Sequence, residues 1–104
     1  MLVSVCIPCF NAERFIGASV ESVLSQTYPH VEVVVVDDGS TDGSRNVLAR
    51  YGAQITVIEQ KNRGQCAAAN RAFRSARGNL IKFFDADDIM DPEMIALQVD
   101  RLGS

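Results

Sequence analysis

Apolar and polar positions follow one another in a repeating rhythm: a short apolar run, a segment with helical spacing, then another apolar run. Leu2 to Pro8 reads as a first strand, its proline at the end where the ladder is finishing. Asn11 is expected as an N-cap and Glu13 in a first helical turn. Ile16, Val20, Val23 and Leu24 then recur at i, i+4, i+7 and i+8, one face of a helix that Thr27-Tyr28-Pro29 ends. Val31 to Val36 is almost all valine, the pattern of a strand covered on both faces. Ser40 or Thr41 is the expected cap of a short helix through Val47, Leu48 and Tyr51, which Gly52 stops. Ile55 to Ile58 is a third strand, and Glu59 to Gly64 a polar loop. Cys66, Ala69, Phe73 and Ala76 mark a helical face closed by Gly78. Leu80 to Phe84 is the fourth strand, and Asp91-Pro92-Glu93 starts a last helix running from Pro92 to about Leu102.

The pattern is βαβαβαβα, without repeat, linker or low-complexity stretch. Such alternation predicts an α/β fold, a parallel Rossmann-like three-layer sheet with helices on both faces and right-handed crossovers. At 104 residues it forms one domain, 1–104. Ligands on such sheets bind beyond the carboxyl ends of the strands, where strand order reverses. Three strand ends carry polar chemistry: Pro8-Cys9-Phe10-Asn11, Asp37-Asp38-Gly39-Ser40 and Asp85-Ala86-Asp87-Asp88. They should meet at one rim.

The last of these is an apolar run delivering three acids. Ionised carboxylates are costly to bury, so such a cluster is solvated or holds a cation. In an extended strand Asp85 and Asp87 share a face, about 6.6 Å apart, and Asp88 points away. On that geometry the two same-face acids do not readily chelate one ion, so one takes the metal and the other a neighbouring group. A solvated acidic turn is the alternative reading.

Composition is that of an ordinary globular domain, with 47% apolar and 22% charged residues. The net charge of −3, with no clustering of Lys and Arg, argues against nucleic acid as a partner. No stretch has the apolar length of a membrane span and no signal-peptide pattern opens the chain, so a cytoplasmic location is expected, at the inner face of the membrane for a longer protein. Cys6, Cys9 and Cys66 are an odd number and do not suggest a disulfide framework. Cys6-Ile7-Pro8-Cys9 does have the C-x-P-C form of a thiol-disulfide oxidoreductase, but Cys6 lies within an apolar run rather than at a helix start. His30, in a turn, reads as an exposed loop residue.

No G-x-G-x-x-G follows the first strand, and no P-loop occurs. A different chemistry fits: Phe10 offers a ring face for a base, and Asp38 an acceptor for a pyrimidine N–H. The acidic cluster would hold a divalent metal on a diphosphate, acting as a Lewis acid on its departure. Phe10 as a core or staple aromatic, and Asp38 as an Asx turn, are the alternatives.

The segments Val3-Ser4-Val5-Cys6-Ile7-Pro8-Cys9-Phe10-Asn11-Ala12-Glu13, Ser22-Val23-Leu24-Ser25-Gln26-Thr27, Val35-Val36-Asp37-Asp38-Gly39-Ser40-Thr41-Asp42, Asn62-Arg63-Gly64 and Phe84-Asp85-Ala86-Asp87-Asp88 occur in this order. With them the chain resembles the N-terminal half of family 2 glycosyltransferases of the GT-A fold. The resemblance implies a nucleotide-diphospho-sugar donor site, a UDP-sugar being favoured, drawing on Pro8, Phe10, Asn11, Asp38, Arg63, Asp85 and Asp87. It places Asp38 on the base, the Asp85-Ala86-Asp87 D-x-D on ribose and metal, and Asp87 as the direct ligand of Mn²⁺ or Mg²⁺. Phe10 stands where the family commonly has tyrosine. Arg63 approaches the diphosphate, or is simply an exposed loop arginine.

The resemblance further implies inverting transfer to the hydroxyl of a sugar or lipid-linked acceptor, with a catalytic base beyond Ser104. The chain is thus expected to be a donor-binding half, inactive alone. A non-catalytic nucleotide-binding module is the competing reading, and thiol redox chemistry a third. The fourth strand, left as an apolar edge, predicts self-association.

Overall fold

The structure of the chain, a computed structural model, describes residues 1–103. Four parallel strands, β1 (Val3–Cys9), β2 (Val31–Asp38), β3 (Thr56–Gln60) and β4 (Leu80–Phe83), form one sheet in the order β3-β2-β1-β4. Four helices lie between and after them: α1 (Ile16–Leu24), α2 (Ser44–Ala49), α3 (Gln65–Ser75) and α4 (Met94–Gly103), with a 3-10 turn at Gly52–Gln54. The chain runs outward from β1 through β2 to β3, then returns to place β4 on the other side of β1. Strand order therefore reverses between β1 and β4, where an open α/β sheet leaves its crevice.

Both central strands are apolar on both faces because both faces are covered. Val3, Val5, Ile7 and Cys9 of β1, with Val33 and Val35 of β2, meet Ile16, Val20 and Val23 of α1, Leu48 of α2 and Ile95 of α4. Cys6, Val34 and Val36 face the other way, against Ala68 and Ala72 of α3. The α3 face differs from the expected one. Alanines at 68, 72 and 76, four apart, touch the sheet, while Cys66 and Phe73 are exposed. Small side chains let that helix lie close to the strands, so the large residue goes outward.

Several boundaries differ from the sequence expectation. β1 and β2 extend to Cys9 and Asp38, while β4 stops at Phe83. Pro8 remains within β1; alternation puts its nitrogen on the β4 side, beyond the last bond there, Phe84 N–H to Cys6 O at 3.0 Å. The turn of α3 into β4 passes so close to β1 that a Cβ on Gly78 would lie 2.5 Å from Ser4 Oγ, so Gly78 serves that approach while α3 ends at Ser75, with Ala76 already extended. No helix of the described residues is long and apolar enough to cross a membrane.

Candidate functional site

The β1–α1 loop and the β2–α2 loop clasp one another. Asn11 is left-handed (φ 48°) and does not cap α1, which begins only at Ile16. Its side-chain oxygen instead accepts N–H bonds from Thr41 (2.8 Å) and Asp42 (3.3 Å), and its own N–H donates to Ser40 Oγ at 2.9 Å. Glu13 likewise leaves the expected first helical turn and accepts the Gly43 N–H at 2.9 Å. Asp42, rather than Ser40 or Thr41, prepares α2 by accepting both the N–H and the hydroxyl of Ser44. Loop-to-loop bonds of this kind fix where Phe10 leaves β1. Phe10 is about half exposed (49%) and so is not a core residue, and with α1 starting only at Ile16 it does not precede that helix's cap as a staple would.

Alternation along β2 sends its two terminal acids to opposite faces. Asp37 is fully buried and pairs with Arg45 Nε of α2 at 2.8 Å, also accepting the Ser40 hydroxyl. Asp38, 3% exposed, faces the α3 side and organises the β3–α3 loop. It accepts Gln60 Nε2 (2.9 Å), Arg63 N–H (2.8 Å) and Gly64 N–H (3.0 Å). Burial alone would raise its pKa; those three donors outweigh it and hold the carboxyl below its ordinary value. Two bonds occupy Oδ1 and one occupies Oδ2, so an ionised Asp38 retains one acceptor position. Gly39 (φ 75°) lets this loop close, because a Cβ there would meet Asn62 N at 2.7 Å.

Beyond Phe83 the chain turns instead of remaining extended, and Asp88 N–H bonds Asp85 O at 3.2 Å. This corrects the expectation that Asp88 points away. Carboxylate oxygens of Asp85, Asp87 and Asp88, all exposed, lie within 4.8 Å of one another. An octahedral Mg²⁺ with oxygens at about 2.1 Å spaces adjacent ligands about 3 Å apart and opposite ones about 4.2 Å apart. Three carboxylates at this spacing are an all-oxygen donor set of the kind a hard divalent cation takes.

A cleft of about 600 Å³ opens at the reversal point, bounded by β1's end, the β3–α3 loop and the β4 turn. Pro8, Phe10, Asn11, Asp38, Asp85 and Asp87 all line it. Arg63 does not line it; what that residue brings to the site is its backbone N–H on Asp38. Asn62, Gly64 and Gln65 also line it, and Gln60 supports Asp38 from behind. Asn62 and Gly64 belong to a segment that carried the resemblance without being named as site residues, and Gln60 and Gln65 had no signal pointing to the site. Among the lining residues there are three acids and no lysine or arginine, so no lining side chain offers positive charge to an anion entering here.

The C-x-P-C reading is overturned. Three residues apart on a strand, Cys6 faces α3 and Cys9 faces α1 and α2, on opposite sides of the sheet. Burial pushes each thiol up to about 11, with Glu32 and Asp37 adding to the rise at Cys6 and Cys9 respectively. A redox pair needs the reverse.

The family model described as Glycosyl transferase family 2 matches residues 4–104. An uncharacterized glycosyltransferase from Nostoc sp. is 41% identical over 99 residues, covering 91% of this chain and 31% of that protein. S. aureus TarS 1-349 in complex with UDP superposes with a TM-score of 0.92 at 29% identity, covering 99% of this chain and 32% of that one. The mannosyltransferase PcManGT from Pyrobaculum calidifontis, in complex with GDP-Man and Mn²⁺, gives 0.90 at 32% identity, with 98% and 32% covered. The chain spans about a third of the length of each.

Proposed function

The chain belongs to glycosyl transferase family 2, and from that premise we propose that its cleft binds a nucleotide-diphospho-sugar donor together with a divalent cation. The Phe10 ring offers a stacking face to the base, and the remaining acceptor position of Asp38 takes an N–H from its edge. Asp85, Asp87 and Asp88 hold Mn²⁺ or Mg²⁺, with Asp87 the principal ligand. When bound, the ion neutralises diphosphate charge and eases departure of the nucleoside diphosphate. Two similar proteins support this reading, TarS by its complex with UDP and PcManGT by its complex with GDP-Man and Mn²⁺. In the whole protein the donor site serves transfer of the sugar to an acceptor hydroxyl on a sugar or lipid-linked acceptor, with inversion at the anomeric carbon.

One observation carries the proposal: three strand ends distant in sequence place Phe10, Asp38 and the 85–87 acids in one cleft that contains no basic side chain. Calorimetric titration with UDP tests it. Mn²⁺ is expected to tighten UDP binding by on the order of tenfold, about 1.4 kcal/mol, and Asp87→Ala to remove that increment. Equal affinity with and without Mn²⁺, unchanged in Asp87→Ala, overturns the donor-site reading.

A further inference from the structure

The segment carrying the acids, residues 84–91, contains no helix or strand, yet it presents three like charges close together. Something outside the segment must set its path: β1 holds Phe84 N–H on Cys6 O at 3.0 Å, and α1 with the residues just after it supplies the other long-range bonds. Ser19, fully buried on α1, donates its hydroxyl to Asp85 O at 3.2 Å. Ser22 Oγ accepts the Met90 N–H at 2.9 Å while donating to Ser19 O at 2.7 Å. Gln26 Nε2 donates to Asp91 O at 2.6 Å, and Gln26 Oε1 accepts the Ile95 N–H at 3.0 Å. Just past the helix, Thr27 N–H bonds Pro92 O at 2.9 Å.

Ser19 and Ser22 stand at i and i+3 on α1, and Gln26 follows two residues after the helix ends at Leu24. The first of the three meets the start of the acidic segment and the other two meet the end. The span between these anchors is the Asp85–Asp88 turn. Ser19 and Ser22 belong to α1 and Gln26 to the turn after it, and none of the three lines the cleft. We infer that Ser19, Ser22 and Gln26 are positioning residues that hold the Asp85, Asp87 and Asp88 carboxylates in register for one divalent cation. This rests on the cation reading given above. The hydroxyls and amide act through backbone atoms, so they touch neither metal nor nucleotide.

Mn²⁺ alone is the probe, its free fraction read by electron paramagnetic resonance against the folded 104-residue chain. Partners that orient ligands typically change metal affinity 10- to 100-fold when removed. Ser22→Ala is expected to weaken Mn²⁺ binding by on the order of tenfold, leaving UDP affinity without metal unchanged, and Ser22→Thr, which keeps a hydroxyl, to restore it. Gln26→Glu retains the acceptor for Ile95 N–H but loses the donor to Asp91 O, and should weaken Mn²⁺ binding in the same sense should Ser22→Ala fail to fold. If these variants lower the urea midpoint yet bind Mn²⁺ as the parent does, the three residues are merely structural and the inference falls alone. If the parent does not bind Mn²⁺, or Asp87→Ala binds it equally well, the donor-site reading falls and takes this inference with it.

Discussion

Replacing Gly39 by alanine isolates what the Asp38-centred loop contributes. Two costs arise at once. Gly39 has φ 75°, and a non-glycine residue in that region costs about 1 kcal/mol. The new Cβ would also sit 2.7 Å from Asn62 N and 3.2 Å from Asn62 Cα, which are backbone atoms that cannot rotate away. The loop must retreat, and the Arg63 and Gly64 N–H bonds to Asp38, next in sequence to Asn62, lengthen first. Hydrogen bonds to a charged group are worth about 1.5–3 kcal/mol each, so losing one brings the total to about 3 kcal/mol. Gly52 provides the control. It too has positive φ (54°), but nothing lies within 4 Å of the added Cβ. Gly52→Ala should therefore cost only the conformational term, about 1 kcal/mol. With a urea m-value of about 1.5 kcal/mol/M the midpoints fall by about 2 M and about 0.7 M respectively. UDP affinity should drop in Gly39→Ala and hold in Gly52→Ala. Equal midpoint losses in the two variants would show that the loop accommodates the methyl group, and the account of Asp38 as its anchor would be wrong.

Acid should weaken the fold through the same residue: because hydrogen bonds hold the folded-state pKa of Asp38 below its unfolded value near 3.9, the stability it contributes is present above about pH 4 and is lost as pH falls through the folded pKa. Glu32, lowered by bonds from Arg77 and Ser4 against the opposing effect of burial, acts with the same sign; urea midpoints measured from pH 7 down to pH 3 should fall, and Asp38→Asn should flatten the decline. Thiol titration should find one fast-reacting cysteine, the exposed Cys66, while Cys6 and Cys9 stay unreactive until pH approaches 11 or the chain unfolds; a Cys6–Cys9 disulfide in the folded chain would contradict the strand geometry. Among the described residues β4 has no strand on its outer side, and Phe83 at its end is 55% exposed. Light scattering of the isolated chain should therefore show concentration-dependent dimers that Phe83→Lys suppresses; a monomer at high concentration would count against it.

Much of this architecture is local information. A valine run covered on both faces reads as a parallel strand wherever it occurs, and the four runs with helical spacing between them dictate the layers. The same runs end in Phe10, Asp38 and Asp85, so the common rim was legible before any contact was known. Residue-level roles were less so. Asn11 has the composition of a cap, and capping chemistry cannot distinguish a helix that starts beside it from a loop about thirty residues away that needs the same acceptor. The α3 face was misplaced because Phe73 outranks alanine in apolarity, whereas close packing on the sheet selected the smaller residue.

From the chain alone came the alternation of strands and helices, the two-faced central strands and the acids at their carboxyl ends, all properties of neighbours along the backbone. Tertiary structure decided that Asp88 turns back onto Asp85, that Asp38 anchors the β3–α3 loop, that Arg63 gives Asp38 its backbone N–H, and that Ser22 of α1 and Gln26 just after it bond the end of the acidic segment. Each of these is a bond between residues at least three and mostly more than twenty positions apart. Periodicity reports which side of an element is buried; it holds no record of which distant polar group will be waiting there.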